Sequence, residues 1–384
     1  MAEMEDRTRR FLSELDSQGL RRELRSPSGI DLSSNDYLGL ADHPMIRGAM
    51  ARAVLQEGVG STASRLLRGE RRAFRDIELS FADWKGTEAS LYFTSGYAAN
   101  LGVLSSFLQE GDIVFSDELN HASLIDGMRL GRARRVIFPH CDARALRGAL
   151  VSEQAPGQRF LVTESLFSMD GDFAPLEEYA ELCRETGTAL IVDEAHAVGV
   201  FGERGSGRIE QAGVGGDVFL SVNTAGKALG VCGAFVAGPR WAIEYLIQRA
   251  RTFVFTTAAP PSLAAALDAA LSVVVREPEL RVRTLRSAGK LRTMLAEMGV
   301  HVPQGESQII PIVLGDNERA IAAAEALQKD GFDVRAIRPP TVPRGTSRLR
   351  VSVNAKLRES DLEAFRSSLV TALAEKVACR AASL

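Results

Sequence analysis

Short apolar runs recur along residues 89–237, and they constrain the fold more than any other feature of the chain. They are ASLYF (89–93), DIVFS (112–116), RRVIF (134–138), RFLVT (159–163), ALIVD (189–193), DVFLSV (217–222) and GAFVA (233–237). Each is too short for a buried helix, and most are too continuously apolar for a strand with one wet face. Between most of them lie stretches with helical periodicity, at 97–108, 121–131, 143–152 and 175–186. Near-continuous apolar strands alternating with helices predict an α/β fold, with a mostly parallel sheet covered on both faces.

The flanks read differently. Residues 1–25 carry Phe11, Leu12, Leu15, Leu20 and Leu24 among many charges and predict an amphipathic helix. The connector SPSGIDLSSNDYLGL (26–40) is rich in turn residues. Residues 261–299 predict a long helical connection out of the sheet. QIIPIVL (308–314), a helix at 316–330, FDVRAI (332–337), RLRVSV (348–353) and a helix near 359–377 predict a smaller α+β unit. The expected organisation is an N-terminal helix and connector (1–45), a large domain (46–280) and a small C-terminal domain (281–384).

Composition narrows the function classes. With 46 basic and 49 acidic residues the net charge is −3, so nothing asks for nucleic acid. The four cysteines (141, 183, 232, 379) and five histidines show no metal-ligand spacing and read as reduced thiols and non-metal imidazoles in a cytoplasmic protein. No apolar run reaches the roughly 20 residues of a membrane span, and no secretory signal is visible at the N-terminus. Only six basic residues are Lys (85, 227, 290, 329, 356, 376), so a Lys in an unusual place stands out.

In open parallel sheets the chemistry sits at the carboxyl ends of the strands. After 89–93 comes TSGYAAN, a hydroxyl residue and Gly96 opening a helix, which makes a phosphate cradle from free N–H groups. After 112–116 comes DELNHAS with His121; after 159–163, ESLFSMDGD with Ser168; at the end of 189–193, Asp193 and then His196. After 217–222 comes the Gly-rich NTAGKALG with Thr224 and Lys227. Taken singly, Lys227 reads as a solvated loop residue, Asp193 as a helix cap and each His as structural. Taken together, a Lys for a Schiff base, an Asp for a pyridine nitrogen, a His for the ring face and a phosphate cradle suit pyridoxal 5′-phosphate. No Walker A loop, GxSxG elbow or EF-hand is spelled.

SSNDYLGL (33–40), GSTASRLLRG (60–69), SGYAAN (95–100), NHASLIDG (120–127), FSMDGD (167–172), DEAHAVGVFG (193–202), NTAGKALG (223–230) and AIRPPTVPRGTSRLRVSV (336–353) resemble the α-oxoamine synthases. These are pyridoxal-phosphate enzymes of the aspartate-aminotransferase fold (fold type I), and the resemblance spans about residues 20–370. It implies decarboxylative condensation of an amino acid with an acyl thioester by a homodimer. Within 336–353, IRPPTVPRGTSRLR (337–350) resembles the branch that joins L-alanine to pimeloyl-CoA or a pimeloyl acyl carrier protein; glycine C-acetyltransferase and 5-aminolevulinate synthase share the apparatus. The resemblance further implies that Lys227 forms the Schiff base and Asp193 pairs with the pyridine nitrogen. His196 and Ser168 would bond polar atoms of the cofactor, and His121 would stack on the ring and touch substrate. Gly96, Tyr97 and Thr224 would hold the phosphate. Arg338 would grip the amino-acid carboxylate with Asn35 nearby, and Arg21 and Thr341 would line the acyl-thioester path. GSTASRLL departs from the family's more usual glycine-rich form there.

Overall fold

The computed structural model describes residues 1–381, and they form two compact units. The larger comprises residues 35–168 and 172–283; the smaller comprises 1–34, 169–171 and the described residues from 284 to 381.

The larger unit is built on a seven-stranded sheet. Its strands are β1 (Ala89–Phe93), β2 (Ile113–Asp117), β3 (Arg134–Phe138), β4 (Arg159–Glu164), β5 (Ala189–Asp193), β6 (Val218–Thr224) and β7 (Ala234–Gly238). They lie in the order β1-β7-β6-β5-β4-β2-β3. All neighbours are parallel except β7, which runs antiparallel to both β1 and β6. The apolar runs thus become strands within a residue or two, and the mostly parallel sheet is as expected. The reversal of β7 leaves no sequence signal, because a buried strand is apolar whichever way it runs.

Side chains alternate between two cores. Val114, Phe160, Val162 and Ile191 enter one cluster with α1 (Gly96–Phe107) and α2 (Ala122–Leu130). Ile113, Phe115, Leu161, Leu190 and Val192 enter the other with α3 (Ala143–Ser152) and α4 (Leu176–Thr186). This period of two, with both faces covered, is why the strands read as unbroken apolar runs.

The smaller unit has a three-stranded antiparallel sheet of β8 (Ile309–Gly315), β9 (Ala336–Ile337) and β10 (Ser347–Ser352), in the order β9-β10-β8. Its core takes Ile310, Ile312, Leu349 and Val351 from the sheet, and Leu327 and Phe365 from the helices Asn317–Lys329 and Glu359–Ala381. FDVRAI is not one strand. Phe332–Asp333 pairs in parallel with Ile30–Asp31, and only Ala336–Ile337 joins the sheet.

Two helical expectations are corrected. The N-terminal helix is Ala2–Ser17, not 1–25, because Gly19 takes φ +61° and turns the chain out of it. The 261–299 stretch is two helices, Pro261–Arg276 and Glu279–Glu297, because Pro278 between them lacks the N–H that would continue the first. Cys141, Cys183 and Cys232 are free thiols; Cys379 lies outside the described side chains. Among the described residues no helix is long and apolar enough to cross a membrane.

A buried ion pair secures the segment that follows β5. Lys85, at the end of helix Arg72–Lys85, places Nζ 2.5 Å from Glu194 Oε2, with both side chains almost wholly buried. Glu194 Oε1 accepts from the Arg208 and Ile209 amides at 2.8 and 3.2 Å. Removing one partner of such a pair strands a charge out of water. Lys85→Met is therefore expected to cost about 3–5 kcal/mol in urea unfolding, and the double variant Lys85→Met/Glu194→Gln to recover most of that loss.

Candidate active site

Strand direction brings the polar residues to one edge. β2, β4, β5 and β6 run parallel, and β1, antiparallel to β7, shares their direction. Their carboxyl ends therefore deliver Gly96, His121, Ser168, Asp193, Thr224 and Lys227 along the same side of the larger unit.

Asp193 is 5% exposed and is held from two sides. Its Oδ1 accepts from the Ala195 amide at 2.8 Å, and its Oδ2 from Asn100 Nδ2 at 2.7 Å. Asn100 also donates to Ser123 Oγ at 2.9 Å, and that hydroxyl lies 2.8 Å from His121 Nδ1. The Ser123 amide, 3.2 Å away, can only donate to Nδ1, so the neutral His121 ring carries its proton on Nε2. Burial and then the Lys227 charge push the His121 pKa down, against the pull of Asp193.

Glu164 lies beside Asp193 in register on the neighbouring strand. Burial, and then the Asp193 charge, push its carboxyl well above the usual range. Its Oε1 accepts the His121 amide at 2.7 Å, which fixes the turn carrying that ring.

The Lys227 loop is tied back on itself. The Ala225 amide donates to Gly233 O, the Val231 amide to Ala225 O and the Gly230 amide to Lys227 O. Gly230 has φ +65°, and a Cβ there would lie 2.5 Å from the Ala41 nitrogen, so only glycine closes this turn. The Lys227 amine lies 2.9 Å from His196 Nε2, and His196 Nδ1 lies 2.7 Å from the Tyr37 hydroxyl. That hydroxyl donates to Asn35 Oδ1 at 3.0 Å.

A phosphate cradle stands at the start of α1. Ser95 caps the helix, accepting from the Ala98 amide at 3.1 Å. A Cβ at Gly96 would fall 2.7 Å from Thr224 Oγ1, so the backbone and that hydroxyl converge on one small space. First-turn N–H groups and a hydroxyl are the donors a phosphate takes. Tyr97 sets its ring edge-on to His121 at 6.5 Å and bonds Asp126 through its hydroxyl. An amine, a buried carboxylate, an imidazole and this cradle together fit pyridoxal phosphate.

The remaining expected residues group in the smaller unit. Arg21, Arg338 and Thr341 line a cavity of about 490 Å³ together with Arg22, Arg25 and Arg335. Arg338 already donates to the carbonyls of Gly19 and Arg21, and burial followed by Arg22 and Arg25 pushes its pKa down. Arg21 pairs with Asp16 at 2.6 Å, and Thr341 accepts from Arg22 at 3.1 Å.

Sequence reasoning passed over Asn100, Ser123, Glu164 and Tyr37. Asn100 had a signal, a buried amide in an otherwise apolar helix. Tyr37 had none, because an aromatic in a turn-rich connector reads as a packing residue.

The chain also resembles known proteins. Residues 27–369 match the family model described as aminotransferase class I and II. The chain is 47% identical to an 8-amino-7-oxononanoate synthase of Anaeromyxobacter dehalogenans over 94% of each chain. It is 46% identical to the enzyme of that description from Geobacter sulfurreducens, over 92% of this chain and 94% of that one. Among solved structures it resembles the serine palmitoyltransferase of Sphingomonas wittichii at TM-score 0.87 and 33% identity, covering 90% of this chain and 87% of that one. It also resembles the 8-amino-7-oxononanoate synthase of Francisella tularensis at TM-score 0.78 and 27% identity, covering 92% and 99%.

A second buried charge cluster supports the His121 turn. His140 lies 2.9 Å from Asp117, at the end of β2, and 2.8 Å from Asp172. With a carboxylate at each ring nitrogen the imidazole must carry both protons. Burial pulls its pKa down, but hydrogen bonds to Asp117, Asp172 and Cys141 outweigh this and push it up to about 12. A raised folded-state pKa stabilises fully below the unfolded value and fades as pH climbs towards the folded one. The stability lead of the wild type over His140→Gln in urea is thus expected to be larger at pH 6 than at pH 10.

Proposed function

The chain belongs to the class I and II aminotransferase family, and from that premise we propose that it condenses L-alanine with a pimeloyl thioester, releasing CO2 and the free thiol, to give 8-amino-7-oxononanoate for biotin synthesis. The observation that carries this reading is the 47% identity over 94% of the chain to relatives of that description. Pyridoxal phosphate is the cofactor, and when bound it supplies an electron sink for charge developing at the substrate α-carbon.

The chain's own residues take the remaining roles. Lys227 attaches the cofactor and, once released, is the base nearest the α-carbon proton. Asp193 would pair with the pyridine nitrogen; its two donors, Asn100 and the Ala195 amide, hold the carboxylate in place. Gly96, Tyr97 and Thr224 would hold the phosphate. His121 would cover the ring face, and His196 and Ser168 would meet the cofactor's polar substituents. In the smaller unit the arginine-lined cavity suits anionic substrate groups. Arg338 there takes the alanine carboxylate, and Arg21 and Thr341 line the path of the thioester, whether its carrier is coenzyme A or acyl carrier protein; Asn35 is assigned to substrate as well. Arg338 spends one proton on each carbonyl it holds, so three of its five N–H groups are left for a carboxylate.

The same reading makes the enzyme a cytoplasmic homodimer. FTTAAPP (255–261) is the segment offered to the neighbouring subunit, with Phe255 72% exposed. Sedimentation of the active enzyme is expected to give a dimer; a fully active monomer would contradict this.

The deciding assay follows thiol release with alanine, glycine or serine against pimeloyl-CoA and acetyl-CoA. Alanine with the pimeloyl thioester is expected to give the highest kcat/KM; glycine with acetyl-CoA in first place would overturn the reading. Asp193→Asn is expected to slow exchange of the alanine α-proton in heavy water at least about 10²-fold, the scale of losing one directed electrostatic partner. Arg338→Lys is expected to weaken alanine binding by about 1.5–3 kcal/mol, seen by titration of the cofactor's absorbance, with cofactor binding unchanged.

A further inference from the structure

The residues behind Lys227 form a polar chain with a fixed direction. Tyr37 is wholly buried, so its hydroxyl answers to protein partners rather than to bulk water. A phenol has one proton. It is committed to Asn35 Oδ1, a carbonyl oxygen that can only accept. Towards His196 Nδ1, 2.7 Å away, the phenol oxygen therefore offers a lone pair, and Nδ1 must supply the hydrogen. A neutral imidazole with its proton on Nδ1 has a bare lone pair on Nε2. That lone pair faces the Lys227 amine at 2.9 Å.

We propose that Asn35 and Tyr37 are positioning residues that lock His196 in its Nδ1–H form, so that Nε2 is the proton acceptor for the Lys227 ammonium. An ammonium has no lone pair and cannot attack an aldehyde; it must first lose a proton. In the proposed step one Lys227 N–H proton moves to His196 Nε2. The amine gains its lone pair, and His196 becomes an imidazolium whose Nδ1–H still rests on the Tyr37 oxygen. No other bond changes and no outside reactant is needed. The inference rests on Lys227 being the cofactor's attachment point, and it assigns to Asn35 a role separate from any contact with substrate.

The test uses cofactor-free enzyme labelled with ¹⁵N-histidine, at a pH where His196 is neutral, with its signals assigned by their loss in His196→Gln. The wild type is expected to show a pyridine-type Nε2 and a pyrrole-type Nδ1. In a Lys227→Met background no donor-only ammonium faces Nε2, so the tautomer there answers to Tyr37 and Asn35 alone. Asn35→Ala frees the phenol proton to turn towards Nδ1, and Tyr37→Phe removes the acceptor; in that background each is expected to convert Nε2 to the pyrrole type. Asn35→Asp keeps an acceptor for the phenol and is expected to preserve the pyridine-type Nε2 there. A pyrrole-type Nε2 in the wild type, or a pattern unmoved by Asn35→Ala in the Lys227→Met background, overturns the proposal. Should Tyr37→Phe fail to fold, the two Asn35 variants decide the matter alone.

A kinetic arm uses pyridoxal phosphate as the probe and borohydride to trap what has bound to Lys227. Capture is expected to slow at least about tenfold in Asn35→Ala and Tyr37→Phe but not in Asn35→Asp, at the low end of what a positioned base contributes. Equal rates in all four proteins would overturn the proton-acceptor role. Absence of trapped cofactor at Lys227 in the wild type would instead overturn the attachment site, while the nitrogen signals would still report the tautomer.

Discussion

The site depends on how the Asp193 carboxyl, nearly shut off from water, is hydrogen-bonded. Moving a carboxylate from water into a protein interior costs several kcal/mol unless hydrogen bonds replace the lost solvent. Here the replacements come from near and far in the sequence: the amide two residues on, and Asn100 on the helix that also opens the phosphate cradle. The same Asn100 reaches Ser123 and through it His121. One buried amide thus couples the carboxylate, the imidazole and the helix that would seat a phosphate, and its neighbours cannot shift independently.

The register of β4 and β5 adds a constraint. It sets Glu164 beside Asp193, and two like charges at that spacing in a dry site disfavour one another. The conflict is resolved unequally. Asp193 has two directed side-chain and backbone donors, whereas Glu164 accepts the His121 amide and yields to burial, its pKa driven upward. The two carboxyls thus differ in how each is hydrogen-bonded and in how far burial acts on Glu164.

Much of this was legible in the sequence, for physical reasons. Doubly buried parallel strands must be apolar throughout, so the runs announced themselves, and chemistry at parallel strand ends made His121, Asp193, Thr224 and Lys227 stand out as residues following those runs. The direction of β7 and the break of FDVRAI were not legible, because burial fixes apolarity but not direction or pairing partner. Polar residues met far from any strand end were hidden too. Tyr37 precedes the sheet by some fifty residues, and only the folded chain brings its hydroxyl to His196. The arginines of the smaller unit were half legible: Arg21, Arg338 and Thr341 do come together, but the two carbonyls gripped by Arg338 depend on the turn at Gly19, which the expected longer helix would have removed.

That turn gives Arg338 two duties. A guanidinium carries five donors in a fixed plane, and spending some of them on backbone carbonyls fixes the plane before any substrate arrives. In the role proposed for Arg338, a side chain already ordered would lose less entropy when a carboxylate binds, so the contacts with residues 19–21 would act as preorganisation rather than competition. Burial, and then repulsion by Arg22 and Arg25, lowers the Arg338 pKa. Asp16 and Glu23 pair with Arg21 and Arg25 in the same cavity, so its carboxylates offset part of that positive charge.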